Sequence, residues 1–184
     1  MNNDFIIELR KLYKKSDSVE EVAEKINSTN DYCNDFPIPI VQIMKDLDFV
    51  ITKQDMSNNI KGYIAINNET INTLFKCKKL ICVNKDEEFG NQRFTIAHEF
   101  AHFLFDFSGK NGEEFYNTYN SDEKETTQEK RANKFAANLL MPKNKFIEKY
   151  KEWINGNDCI LKLMQFFGVS EKAVIKRIGE LQID

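Results

Sequence analysis

The chain is short of histidine, of paired cysteines, of long apolar runs and of excess positive charge, and each shortage removes a class of protein. Its four cysteines, Cys33, Cys77, Cys82 and Cys159, are scattered with no Cys-x-x-Cys pair. That spacing excludes a disulfide frame and a cysteine zinc site, and the four read as reduced core or near-surface thiols. No apolar run approaches the about 18 residues that a membrane-spanning helix needs, and there is no charged, apolar, small-residue leader. A cytoplasmic protein with no membrane partner is therefore expected. Twenty-six basic against 29 acidic residues leave a net charge of −3. Such a charge gives no general pull toward nucleic acid, and direct nucleic-acid binding is not expected.

What is present is core-forming material and one concentrated motif. With 184 residues, 41% of them apolar and 15 phenylalanine, the chain can bury a substantial core in one domain. Both of its histidines fall in His98-Glu99-Phe100-Ala101-His102. On a helix turning about 100° per residue, Thr95, His98, Glu99, His102 and Asp106 share one arc of roughly 100°. The other residues of 94–107 are apolar. A surface helix has the opposite make-up, so this one is expected to be buried, with its narrow polar stripe partnered inside the protein. Neutral imidazoles at i and i+4 can bind one zinc ion, and the carboxylate between them can reach a water that the ion activates. Two core histidines flanking a surface glutamate would also fit the five letters. The apolar surroundings weigh against that, because an unpaired buried Glu99 is costly.

The flanking sequence supplies a scaffold. Helical spacing of Phe5, Ile6, Leu9, Leu12 and Tyr13, then of Val19, Val22, Ala23 and Ile26, predicts two helices broken near Ser16-Asp17-Ser18, with Asp17 or Ser18 as a cap. Pro37 and Pro39 bracket a short extended stretch, and Ile40, Ile43, Met44 and Leu47 predict a further helix. Residues 49–52, 60–66 and 80–83 are rich in β-branched and aromatic side chains and predict three strands laid against the motif helix. Lys110 to Gln128 is polar and without a clear period, and reads as a loop placed where it could cover a substrate cleft, or as a solvated linker.

A catalytic zinc takes three protein ligands and keeps a position open for water, so the motif helix needs help from elsewhere. A metzincin would have Gly at position 105 and a ligand at 108, but Phe105 and Ser108 stand there. A carboxylate from a later helix remains. Ala132, Phe135, Ala136, Leu139 and Leu140 predict a core-packing helix over 127–141, ended by Pro142. Glu129 lies on the same arc as Ala132, Asn133, Ala136 and Leu140, whereas Glu113, Glu114, Glu123 and Glu125 precede the helix in polar sequence, so Glu129 is the expected third ligand. Thr126-Thr127-Gln128-Glu129 also fits a capping box, in which Glu129 would only cap its own helix. Asn133, one turn on, could reach the non-metal nitrogen of a ligand histidine and orient it, or simply hydrogen-bond backbone. Small residues at 97, 101, 132 and 136 would let the two helices approach closely. Tyr63, Tyr116 and Tyr119 are candidates for an oxyanion donor.

Residues 158–181 carry two apolar-periodic stretches around Gly168-Val169-Ser170, the outline of a helix-turn-helix pair. Over 158–184, Lys162, Lys172, Lys176 and Arg177 are balanced by Asp158, Glu171, Glu180 and Asp184. Without a positive face, packing or substrate docking is the expected role rather than DNA recognition.

Gln92-Arg93-Phe94-Thr95-Ile96-Ala97-His98-Glu99 through His102, followed by Glu129-Lys130-Arg131-Ala132-Asn133-Lys134-Phe135-Ala136-Ala137-Asn138-Leu139-Leu140-Met141-Pro142, resembles the ImmA/IrrE family of metallopeptidases. Lys61-Gly62-Tyr63-Ile64, Leu80-Ile81-Cys82-Val83-Asn84 and Ile38-Pro39-Ile40 agree, so the likeness spans roughly residues 36 to 180. Phe100-Ala101 stands where Leu-Gly is commoner. The resemblance implies zinc held by His98, His102 and Glu129, with Glu99 as catalytic base. It also implies a bacterial or phage protein that inactivates a helix-turn-helix repressor by cleavage. The expected fold is α+β: one mostly helical, zincin-like domain over 1–184 with a sheet of about three strands on the motif helix. Within it, 1–35 form an N-terminal helical segment, 36–142 the catalytic core and 143–184 a C-terminal helical subdomain. A regulator that binds a repressor or DNA and uses metal only structurally is the competing expectation, and the intact Glu99 weighs against it.

Overall fold

The computed structural model describes residues 3–29, 36–57, 60–107, 113–118 as backbone, and 126–183. Two helices open it, α1 (Asn3–Ser16) and α2 (Val19–Asn27). The break between them falls where the sequence placed it, and Ser18 is the cap, its hydroxyl accepting from the Glu21 amide at 3.2 Å. Helix α3 (Ile40–Asp46) follows the proline-flanked stretch, and then come β1 (Val50–Gln54), β2 (Ile60–Ile66), α4 (Glu69–Phe75) and β3 (Lys79–Asn84). The motif helix α5 (Phe89–Phe105) leads to β4 (Glu113–Thr118), and four helices finish the chain: α6 (Thr127–Leu140), α7 (Lys143–Trp153), α8 (Cys159–Phe167) and α9 (Glu171–Leu181). No helix among the described residues is long and apolar enough to cross a membrane.

The fold is α+β, as expected, but among the described residues the sheet has four strands rather than about three. Their order is β1-β3-β2-β4, with β1 parallel to β3 and the other pairs antiparallel. Reading 110–128 as a loop is corrected by β4, which pairs with the outer edge of β2 from Ile60↔Thr118 to Ile66↔Glu113. Glu-Glu-Phe-Tyr-Asn-Thr has a weak strand preference of its own, and its order comes from the ladder that β2 offers. A covering role for 119–125 lies outside the described residues.

Strand parity divides the sheet. Ile64, Ile66, Ile81 and Val83 join the main core with α5, while Ala65 and Leu80 pack with Ile71 of α4 and with Tyr63 on the other face. A side chain at Gly62 would meet the Cys82 carbonyl and the Thr95 methyl, both at 2.6 Å, so glycine is what lets β2 lie directly against α5.

Helix α5 runs through the middle of the molecule, buried continuously from Thr95 to Leu104. It packs on α6, and Ala97, Ala101, Ala132 and Ala136 are all fully enclosed there. Phe100 meets Phe135 edge-on across that contact at 5.7 Å.

The α8–α9 turn is part of the same core. Leu163, Phe167, Val169 and Val174 are buried, and Gly168 takes a left-handed φ of 63° that ends α8. The Ser170 hydroxyl, placed to cap α9, makes no capping hydrogen bond.

Candidate metal centre

The site grows from one turn of α5 and one turn of α6. His98 and His102 are 1% and 2% exposed and their Nε2 atoms stand 3.0 Å apart. Glu129 enters from the first turn of α6, with Oε2 3.0 Å from His98 Nε2 and Oε1 3.3 Å from His102 Nε2. One ligand atom from each of the three lies within 4.8 Å of the others.

The capping-box alternative is half realised. Thr126 does cap α6, its hydroxyl accepting from the Glu129 amide at 3.2 Å, but the Glu129 carboxylate turns to the histidines instead of back to its own helix.

The outer nitrogens settle which way the imidazoles face. His98 Nδ1 donates to the Asn133 carbonyl oxygen at 2.9 Å, and His102 Nδ1 donates to Asp106 Oδ2 at 2.8 Å. With Nδ1 committed to its outer partner, each ring turns its Nε2 toward the other ring and toward Glu129. Basic atoms converging from three side chains favour a cation among them, a proton in the metal-free protein or a metal ion. The same demand shows in the ionisation of the cluster. Burial works against charge on His102, yet the hydrogen bonds it donates to the Asp106 and Glu129 carboxylates push its imidazolium up to about 9. Burial also works against the Glu129 carboxylate, and hydrogen bonds from His102 and His98 still hold it far below the ordinary range. The donor set, two imidazoles and one carboxylate, is that of a catalytic zinc site and fits a metal ion.

Asn133 therefore lies where the sequence suggested. Asp106 was visible on the polar arc without an assigned role; its carboxylate is almost fully enclosed and is held by Arg131 of α6 on the oxygen that His102 leaves free. Arg131 in turn lies over the rings of Tyr13 and Phe105. The sequence signal for Asp106 was its position four residues after His102; Arg131 gave none, because its partner is on another helix.

Glu99 differs from all of these. It is 0% exposed, and among the described residues neither carboxylate oxygen has a hydrogen-bond partner. Burial pushes its carboxyl up to about 8, the His102 charge pulling against this and Glu129 reinforcing it.

Tyr63 does not join the site: it packs on the face of the sheet away from α5, beside Cys82. The side chain of Tyr116 and the whole of Tyr119 lie outside the described residues, as does Cys33. Cys77, Cys82 and Cys159 are free thiols.

A buried helix bearing His-Glu-x-x-His, with a carboxylate brought beside it from a second helix and a small mixed sheet on its flank, defines a metallopeptidase-type protein. The family model described as IrrE N-terminal-like domain matches residues 44–179, and the chain belongs to that family. No curated protein matches it.

Proposed function

We propose that the protein is a zinc-dependent endopeptidase of the cytoplasm, encoded by a bacterium, phage or mobile element, that inactivates a helix-turn-helix repressor or antitoxin-like protein by cleaving it. The observation that carries the reading is the pairing of two unlike features. Three side chains converge their lone pairs on one point, and a buried carboxylate beside them has no partner of its own. A purely structural metal would not need Glu99, and would close its fourth position with another protein ligand.

His98, His102 and Glu129 would hold the ion. When bound, it acts as a Lewis acid that acidifies water and polarises a carbonyl. Asn133 and Asp106 keep the two imidazoles in the tautomer that points Nε2 inward. Glu99 is the proton carrier: a carboxylate stripped of hydrogen-bond donors is unusually basic, so it takes a proton from water at one oxygen and passes it to the leaving amine. Closure of the helices around Glu99 excludes bulk water from that exchange. The repressor as substrate rests on the family resemblance, and the balance of charge on the α8–α9 pair favours the docking of a protein over that of DNA.

The test is incubation of zinc-loaded protein with the repressor encoded beside its gene, read by intact-mass spectrometry. A single new cleavage, absent with Glu99→Gln, supports the reading. Cleavage undiminished in Glu99→Gln, or none by the loaded protein, contradicts it.

A further inference from the structure

Behind the metal centre, α2, α6, the start of α7 and α9 enclose an open cleft of about 530 Å³. Five cationic side chains and two carboxylates line it, a local excess of three positive charges in a chain whose net charge is −3. Two of the cations are already committed. Lys134 pairs with Glu20 at 2.5 Å. Arg177 gives its guanidinium to the Met141 carbonyl at 3.0 Å and to Asn138 at 2.8 Å, with Glu180 at 3.4 Å.

The excess therefore belongs to Lys130, Lys143 and Lys176, all exposed and arriving from three different helices. Among the described residues Lys130 and Lys143 have no ion-pair partner, and Lys176 has only Glu180, at 3.9 Å. Three ammonium groups directed into one concavity repel one another, and an anionic occupant relieves that repulsion.

We infer that this cleft docks an acidic segment of a polypeptide, with Lys130, Lys143 and Lys176 receiving its carboxylates. The volume admits a few side chains and falls in the range of ligand-binding pockets. A duplex needs an extended basic track, and these lysines converge instead of forming one.

The cleft also adjoins the metal centre. Asn133 lines it and is the same side chain that accepts from His98 Nδ1. An occupant is therefore one side chain removed from a candidate ligand, close enough for the acidic segment and the scissile bond to belong to one substrate chain. That last link rests on the peptidase reading, whereas the docking itself does not.

Binding is measured without turnover, by fluorescence anisotropy of a labelled hexaglutamate peptide at low ionic strength. The wild-type protein is expected to bind it and to ignore a hexaserine peptide. The triple variant Lys130→Gln/Lys143→Gln/Lys176→Gln is expected to bind about tenfold more weakly, the scale of three exposed charge contacts, and the corresponding triple arginine variant to restore binding. Circular dichroism shows whether the variants keep the fold, as three exposed substitutions should. Equal binding by the glutamine variant, or equal binding of hexaserine, overturns the inference. So does tighter binding of an oligothymidylate of matched charge that the glutamine variant loses, since this would make the cleft a nucleic-acid site. Because no cleavage is read, failure here leaves the peptidase proposal standing, and failure of that proposal leaves this one.

Discussion

Arg93 and Arg177 are 6% and 4% exposed, nearly as deeply enclosed as Glu99, and all three carry ionisable groups into the core. Their surroundings are opposite. Arg93 donates through Nε to the Gly168 carbonyl at 2.9 Å and through a terminal nitrogen to the Ile38 carbonyl at 2.5 Å. Arg177 likewise bonds the Met141 carbonyl. Each arginine satisfies backbone oxygens left open at a turn or a helix end, tying the α8–α9 unit to α5 and to the end of α6. Glu99 ties nothing. A buried ionisable group whose partners come from the chain itself belongs to the scaffold; one left without partners is a cost the fold carries for chemistry.

The largest effect should come from Glu99. Glu99→Gln keeps the shape and removes the base, and should lower peptide hydrolysis by about 10²–10⁴-fold with bound metal unchanged. Unaltered turnover would place Glu99 with the arginines as scaffold. Arg93→Met tests the other side. It strands two carbonyls and should destabilise the protein by about 2–4 kcal/mol in urea unfolding, and a neutral result would remove the contrast.

Asp106→Asn sharpens the comparison within the site. Asp106 supports a ligand without being one, so metal affinity should fall by about 10–100-fold in a chelator competition assay. Asn133→Leu, which removes a neutral partner, belongs at the low end of that range. No change in either would mean that the imidazoles orient themselves.

The finest distinction is in pH. In the metal-free protein, Glu99 titrates near 8 when folded, against an ordinary value of 4.5. Its contribution to stability is thus fully present below about pH 4.5 and is lost as pH rises through 8, since the folded state binds the extra proton. His102, raised from 6.5 to about 9, acts in the same direction above pH 6.5. Stability of the metal-free protein should therefore fall between about pH 5 and 9, and Glu99→Leu should remove part of that slope. An unchanged slope would assign it to His102 alone.

Much of this was legible in the sequence, for reasons that differ by element. The polar stripe of α5 could be read because both histidines, Glu99, Thr95 and Asp106 repeat at helical spacing in an apolar background. Glu129 and Asn133 followed from the period of α6. Asp106 was seen but not understood, since its second partner Arg131 lies 25 residues away. Tyr63, one of three candidate donors, is ruled out by strand parity, which turns it away from α5. The fourth strand stayed hidden because an edge strand with polar side chains takes its order from its neighbour. The basic cleft was invisible for a similar reason: its lysines are unremarkable one at a time and meet only when α6, α7 and α9 converge.

The central claim is that His98, His102 and Glu129 form one three-ligand metal site. Elemental analysis of the native protein and of Glu129→Ala, purified side by side, tests it most directly. One zinc per chain, lost or greatly weakened in the variant, is the predicted result. No metal in either protein, or the same content in both, would contradict it.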